Sequence, residues 1–177
     1  MRHPYIIVIA GPNGVGKSTF ARWYLEFYPE CSEIVDPDAI ARTIMGLPER
    51  EQQLQAGRTA IRRIEQLIVE RTSFAIESTL LGRTLALRLR LASDTGYYIA
   101  ICFIWVGSVT TTMQRVNQRV REGGHNISTE DQIRRFDRSF DNFQTIYKEV
   151  CHEWHIYRGL EEPPEKVAAG SGGLAET

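Results

Sequence analysis

Apolar residues alternate along this chain between short continuous runs and helical stripes, a pattern that predicts strands separated by helices. The run Tyr5-Ile6-Ile7-Val8-Ile9-Ala10 is uninterrupted and β-branched, as expected of a strand buried on both faces. A helical pattern runs from Ser18 to Phe27 and stops at Pro29. Glu33-Ile34-Val35 reads as a brief second strand, and Ala39 to Ile44 as a helix that starts at or just after Pro37. The longest helical pattern spans Glu51 to Arg71, with Leu54, Ile61, Ile64, Leu67 and Ile68 on one face. Ser73 to Thr79 is a third strand, and a helix over Arg83 to Ala92 ends near Gly96. Tyr97 to Val106 is apolar throughout and reads as the central strand.

A further helix is expected from Ser108 to Arg121, broken by Gly123-Gly124-His125-Asn126. The next starts with Ser128 or Thr129 as its cap and Glu130-Asp131 in its first turn, and carries Phe140, Phe143 and Tyr147. Trp154 to Tyr157 reads as the last strand, at a sheet edge. From Glu161 onward, Pro163-Pro164 and Gly170-Ser171-Gly172-Gly173 predict a flexible tail. The expectation is one three-layer α/β/α domain over residues 1–160, with a mostly parallel five-stranded sheet and a tail over 161–177. No internal repeat interrupts it.

Between the first strand and the first helix lies Gly11-Pro12-Asn13-Gly14-Val15-Gly16-Lys17-Ser18-Thr19. This is the pattern G-x-x-x-x-G-K-[ST], in the strand–turn–helix setting that gives it meaning. The glycines let the backbone curl so that successive N–H groups face an anion, and the helix start adds its positive dipole end. Lys17 is placed to reach the β- and γ-phosphates, and the Ser18 hydroxyl to ligate Mg²⁺. Residues 11–19 are therefore the expected ATP site, and the fold class is a P-loop NTPase of the nucleotide-kinase type.

Carboxylates follow at the ends of the next strands, where ligands bind in open α/β sheets. Asp36 and Asp38 flank Pro37. In a phosphotransferase, one of such a pair holds Mg²⁺ through water and the other accepts the proton of the attacking hydroxyl. The bland alternative is a helix N-cap, which Asp38 could satisfy alone. Glu77 emerges beside Thr79 at the end of the third strand, either as a Walker B-like residue orienting water or substrate, or as a cap on the next helix. The central strand carries no terminal Asp or Glu, which argues against a motor-type or ABC-type ATPase.

Charge narrows the field further. Of the 21 basic residues, only Lys17, Lys148 and Lys166 are lysines, and arginine's planar fork suits phosphate and carboxylate. Arg58, on the long helix, is either a substrate contact or a solvated charge. Arg115 and Arg119 lie one turn apart, and Arg134, Arg135 and Arg138 follow the Gly-Gly break. Two such helices read as a lid over about 115–138 that closes on transferring phosphates. The alternative is two solvated faces. His125 in the hinge reads as a loop histidine.

The remaining composition is that of an ordinary globular protein, 42% hydrophobic and 24% charged. A net charge of −1 argues against nucleic acid or a membrane surface as partner. Cys31, Cys102 and Cys151 lack metal spacing and read as reduced thiols, which points to the cytoplasm. No apolar run approaches the roughly 18 residues of a membrane span, and no signal peptide precedes the first strand.

Several segments taken together resemble the zeta toxin family, and more closely its small ATPase- or kinase-like members. They are Ile9 to Thr19, Val35-Asp36-Pro37-Asp38, Phe74-Ala75-Ile76-Glu77-Ser78-Thr79-Leu80, and Arg115 to Arg119 with Gly123-Gly124-His125. The resemblance covers residues 5 to about 158. It implies a P-loop kinase that phosphorylates a sugar hydroxyl of a UDP-N-acetyl sugar, with ATP and Mg²⁺ as cofactors and an antitoxin protein as a candidate partner. It also implies that Asp38 is the base, Glu77 positions substrate and base, and Arg115, with Arg119, neutralises phosphate charge. Arg83 would meet the sugar nucleotide's diphosphate. The longer toxins' extra substrate segments are missing here, so a smaller hydroxyl acceptor also fits. Two rivals remain: a polynucleotide or RNA-end kinase, and a non-catalytic ATP-binding regulatory module.

Overall fold

The computed structural model describes residues 3–113, 129–159 and 163–175. The strand run at the start becomes β1, Tyr5–Ala10, and the helix behind the glycine-rich turn is α1, Lys17–Tyr24, extended by a 3₁₀ turn over Leu25–Phe27. Then come β2, Ile34–Val35; α2, Pro37–Thr43; α3, Glu49–Val69; and β3, Phe74–Ser78. The chain continues through α4, Thr84–Asp94, and β4, Tyr98–Trp105. Residues 109–113 are helical, and α5 spans Thr129–Asn142. A π-helical turn at Phe143–Tyr147 and a 3₁₀ turn at Lys148–Val150 lead into β5, Glu153–Arg158, and then β6, Glu165–Ser171.

The six strands lie in the order β2-β3-β1-β4-β5-β6. All pairs are parallel except β5 with β6. Alternation along β1 divides the core. Ile6, Val8 and Ala10 face a cluster with Ile64, Leu67, Leu89 and Phe143, whereas Ile7 and Ile9 face Phe20, Tyr24, Cys102 and Tyr157. Chain order reverses direction across β1, which has β3 on one side and β4 on the other. That puts the turn after β1 at the sheet's topological switch point.

Three expectations fail at the C-terminal end. The sheet has six strands rather than five, and residues read as a flexible tail supply the sixth. β5 is consequently interior instead of an edge. The strand is hard to read because its side chains, Glu165-Lys166-Val167-Ala168-Ala169-Gly170-Ser171, are small or polar. Its stabilisation comes from ladder hydrogen bonds and from Trp154, whose Nε1 donates to Ser171 O at 3.1 Å. Gly170 is needed there, since a Cβ would stand 2.5 Å from the Trp154 ring.

The long helix also differs in detail. Its buried face is Ala56, Ala60, Ile64 and Leu67, while Leu54 is exposed. Small alanines let α3 lie close to the sheet, and Ile61 and Ile68 pack at its margin. Arg63 grips Glu33 with two hydrogen bonds of 2.7 and 2.6 Å and ties α3 to the approach to β2.

Candidate active site

The phosphate loop begins where β1 stops. Gly11 N donates to Ser78 O at 3.2 Å, carrying the β1–β3 contact one residue past the strand. Gly11 has φ +141, and a Cβ there would lie 2.6 Å from Ile104 O at the end of β4. Only glycine fits so close to that backbone. The loop enters α1 through Gly16 at φ 94, and no side chain caps the helix. The first N–H groups of α1 are thus left for an anion. Lys17 Nζ curls back to donate to Gly11 O and Pro12 O, each at 3.0 Å.

Strand register then brings a carboxylate to this loop. Ile9 pairs with Glu77, so Glu77 arises beside the P-loop, and Ser18 Oγ donates to Glu77 Oε2 at 2.9 Å. Glu77 is buried. Burial raises its pKa above the ordinary carboxylate value. The Asp36 and Asp38 charges act in the same direction, while the Ser18 hydroxyl and the Lys17 ammonium oppose them. A buried, acidic group surrounded by other carboxylates suits a site that expects a cation.

Asp36 and Asp38 play distinct structural parts, and the cap expected of Asp38 falls to Asp36. Asp36 Oδ1 accepts from Asp38 N at 2.9 Å, making Asp36 the N-cap of α2, and Oδ2 lies 3.8 Å from the Arg42 guanidinium. Asp38 is exposed in the first turn of α2. Both sit at the carboxyl end of β2, near enough to Glu77 to raise its pKa.

A cavity of about 590 Å³ opens beside Glu77, between α3 and the β3–α4 loop. Arg58, Ile61, Thr79, Gly82 and Tyr147 are among its walls, and Glu77 lines it too. The size suits a small organic ligand. Arg88 also lines it, held by Glu65 at 2.6 Å. Arg83 stands exposed at the start of α4 and is not part of the wall. Arg115 and Arg119 lie outside the described residues, as does His125. So does the expected lid over about 115–138 as far as residue 128, while its remainder lies in α5.

Some residues at this site carry no signal in the sequence. Asn142 Nδ2 donates to Leu80 O at 2.6 Å and Tyr147 Oη to Gly82 O at 2.7 Å, both across more than sixty residues. Gly159 closes against the P-loop from behind, where a Cβ would stand 2.8 Å from Val15 O. Their roles are visible only once β3, β1, β4 and β5 are assembled in one sheet. The donor set also suits Mg²⁺. Among the described residues no three His, Cys, Asp or Glu side chains form a metal cluster. A hydroxyl backed by one carboxylate matches a cation that takes few protein oxygens and completes its shell with phosphates and water.

Comparison with known proteins bears on the fold. A family model described as an AAA domain matches residues 6–143. An uncharacterised protein of Haemophilus influenzae is 34% identical over 123 residues, covering 69% of this chain and 85% of that one. Among solved structures, one from the PezAT chromosomal toxin–antitoxin system of Streptococcus pneumoniae superposes with a TM-score of 0.72 at 15% identity. That match covers 99% of this chain and 77% of the other. A putative kinase from Chloroflexus aurantiacus gives a TM-score of 0.62 at 19% identity, with 78% of each chain covered. These likenesses establish the P-loop kinase-like fold. Among the described residues no helix is long and apolar enough to cross a membrane.

Proposed function

The chain belongs to the AAA domain family, and from that premise we propose that it is an ATP-dependent phosphotransferase acting on a hydroxyl of a small acceptor. The observation that carries the reading is the convergence of Lys17, Ser18 and Glu77 at one sheet end, with Asp38 beside them and a ligand-sized cavity adjoining.

Residues 11–19 would hold the triphosphate with backbone N–H groups, and Lys17 would leave the Gly11 and Pro12 carbonyls for the β- and γ-phosphates. Ser18 Oγ, with Glu77 and Asp36 behind it, would hold Mg²⁺, which supplies charge neutralisation at the β- and γ-oxygens. The acceptor lies in the cavity against Thr79 and Arg58, its hydroxyl directed at Asp38. Asp38 accepts the hydroxyl proton as the acceptor oxygen bonds to the γ-phosphorus and the bond to the ADP oxygen breaks. Glu77 holds the acceptor and the cation site in register. Arg115 and Arg119 supply positive charge to the transferring group, and Arg83 contacts a bulkier acceptor's phosphates.

The resemblance to zeta toxins, with the fold shared with the PezAT system, supports a UDP-N-acetyl sugar as acceptor and an antitoxin as partner. The test is ADP release by the purified protein with UDP-N-acetylglucosamine, compared with no acceptor, with 5′-hydroxyl oligonucleotides and with Lys17→Ala. Acceptor-stimulated ADP release, lost in Lys17→Ala and Asp38→Ala, is expected. Stimulation by oligonucleotides alone would move the acceptor to nucleic-acid ends. ATP binding without transfer to any sugar or polyol would overturn the kinase and leave a nucleotide-binding module.

A further inference from the structure

Leu80 is fully buried and has φ +56, a left-handed conformation that a residue with a Cβ seldom adopts. It belongs to the loop over residues 79–83 that forms one wall of the cavity, through Thr79, Leu81 and Gly82. Beyond Leu80 this loop contributes little to the core: Leu81 is half-buried, and Gly82 and Arg83 are exposed. Its conformation is held by side chains. Ser78 Oγ accepts from Leu80 N at 3.0 Å, Asn142 Nδ2 donates to Leu80 O at 2.6 Å, and Tyr147 Oη donates to Gly82 O at 2.7 Å.

Asn142 and Tyr147 come from one short stretch of chain. Asn142 ends α5 and Tyr147 ends the π-helical turn that follows. Residues five apart on a regular α-helix point roughly 140° away from each other. The wider π turn brings them to the same loop. Such turns cost hydrogen-bond quality and persist mostly where they serve a site. The Phe143 ring between them stacks on Phe103 with centroids 4.5 Å apart, which fixes the turn to β4.

We infer that Asn142 and Tyr147 are positioning residues for the acceptor cavity. They hold the strained loop 79–83 against α5 and so set the wall on which the acceptor rests, without touching the phosphate loop. The inference rests on the proposed acceptor site. It makes the acceptor wall and the nucleotide site separable: the first depends on α5 and the π turn, the second on β1 and α1.

The experiment uses the full chain and two variants, Tyr147→Phe, which keeps the buried ring, and Asn142→Leu, which keeps the branched shape of the side chain. Amide hydrogen exchange is followed at residues 80–83 and at residues 5–19, and MgATP binding by calorimetry. Loss of one hydrogen bond should speed exchange at 80–83 by about tenfold, with residues 5–19 and the MgATP Kd unchanged. With an acceptor turning over, its KM should rise by about tenfold while the KM for ATP stays within twofold. Unchanged exchange at 80–83 in both variants overturns the inference, as does equal loosening throughout the chain. An unchanged acceptor KM likewise overturns it. Failure of the wild-type chain to bind MgATP would defeat the kinase reading instead, and the exchange data would still judge the loop.

Discussion

The Ser18 hydroxyl donates to Glu77 Oε2 across 2.9 Å, joining the helix start of the phosphate loop to the end of a strand 59 residues away. Glu77 is thereby held inside a site where its charge is costly. Because its folded pKa is raised, chiefly by burial, the native state binds its proton more tightly than the unfolded chain does. Stability from this group is present at low pH and declines as pH rises through the raised value.

Glu77→Gln should therefore melt at a temperature equal to or above that of the wild type at about pH 7 to 8, and the advantage should vanish below the ordinary carboxylate pKa of about 4.3. Phosphoryl transfer should fall by about 10²-fold or more in the same variant. Thermal denaturation across pH beside a turnover assay checks both. A lower melting temperature at neutral pH would show that Glu77 stabilises the apo fold instead of straining it.

The two aspartates should separate cleanly. Asp36→Ala removes the N-cap of α2 and should cost about 1 kcal/mol of stability, read from urea midpoints. Asp38→Asn, on an exposed side chain, should leave the midpoint within about 0.5 kcal/mol. It should still bind MgATP while losing transfer.

The C-terminal strand makes a separate prediction. A chain ended after Gly159 loses β6, the buried Leu174, and the bond from Leu174 N to Cys151 O at 3.0 Å. Burial of one leucine alone corresponds to a fall in Tm of at least about 4 °C. The bared β5 edge should also promote self-association. Calorimetry and light scattering on the truncated chain test this. An unaltered Tm would return the segment to the status of a tail.

Gly159→Ala places a methyl group 2.8 Å from both Val15 O and Val106 Cγ1. Overpacking of this kind costs about 1–3 kcal/mol. Displacement of Val15 acts directly on the phosphate loop, so the MgATP Kd should rise by about tenfold. Calorimetric titration decides it. An unchanged Kd would mean that the junction yields without moving Val15.

The sequence by itself determined the local parts: five of the strands, the helices α1 to α5, and a phosphate loop whose glycines and lysine act within nine consecutive residues. Those signals are short-range. An apolar run needs a strand, and curled backbone with φ +141 at Gly11 needs glycine. Tertiary structure alone decided which carboxylate meets Ser18, because that depends on the β1–β3 register that sets Ile9 beside Glu77. It also decided that Asn142 and Tyr147 reach the β3–α4 loop, and that residues 165–171 pair with β5. Each of these rests on backbone groups finding partners far along the chain. β6 has no apolar side chain larger than Val167 to announce it, and a carbonyl at Leu80 or Gly82 leaves no mark on residue type.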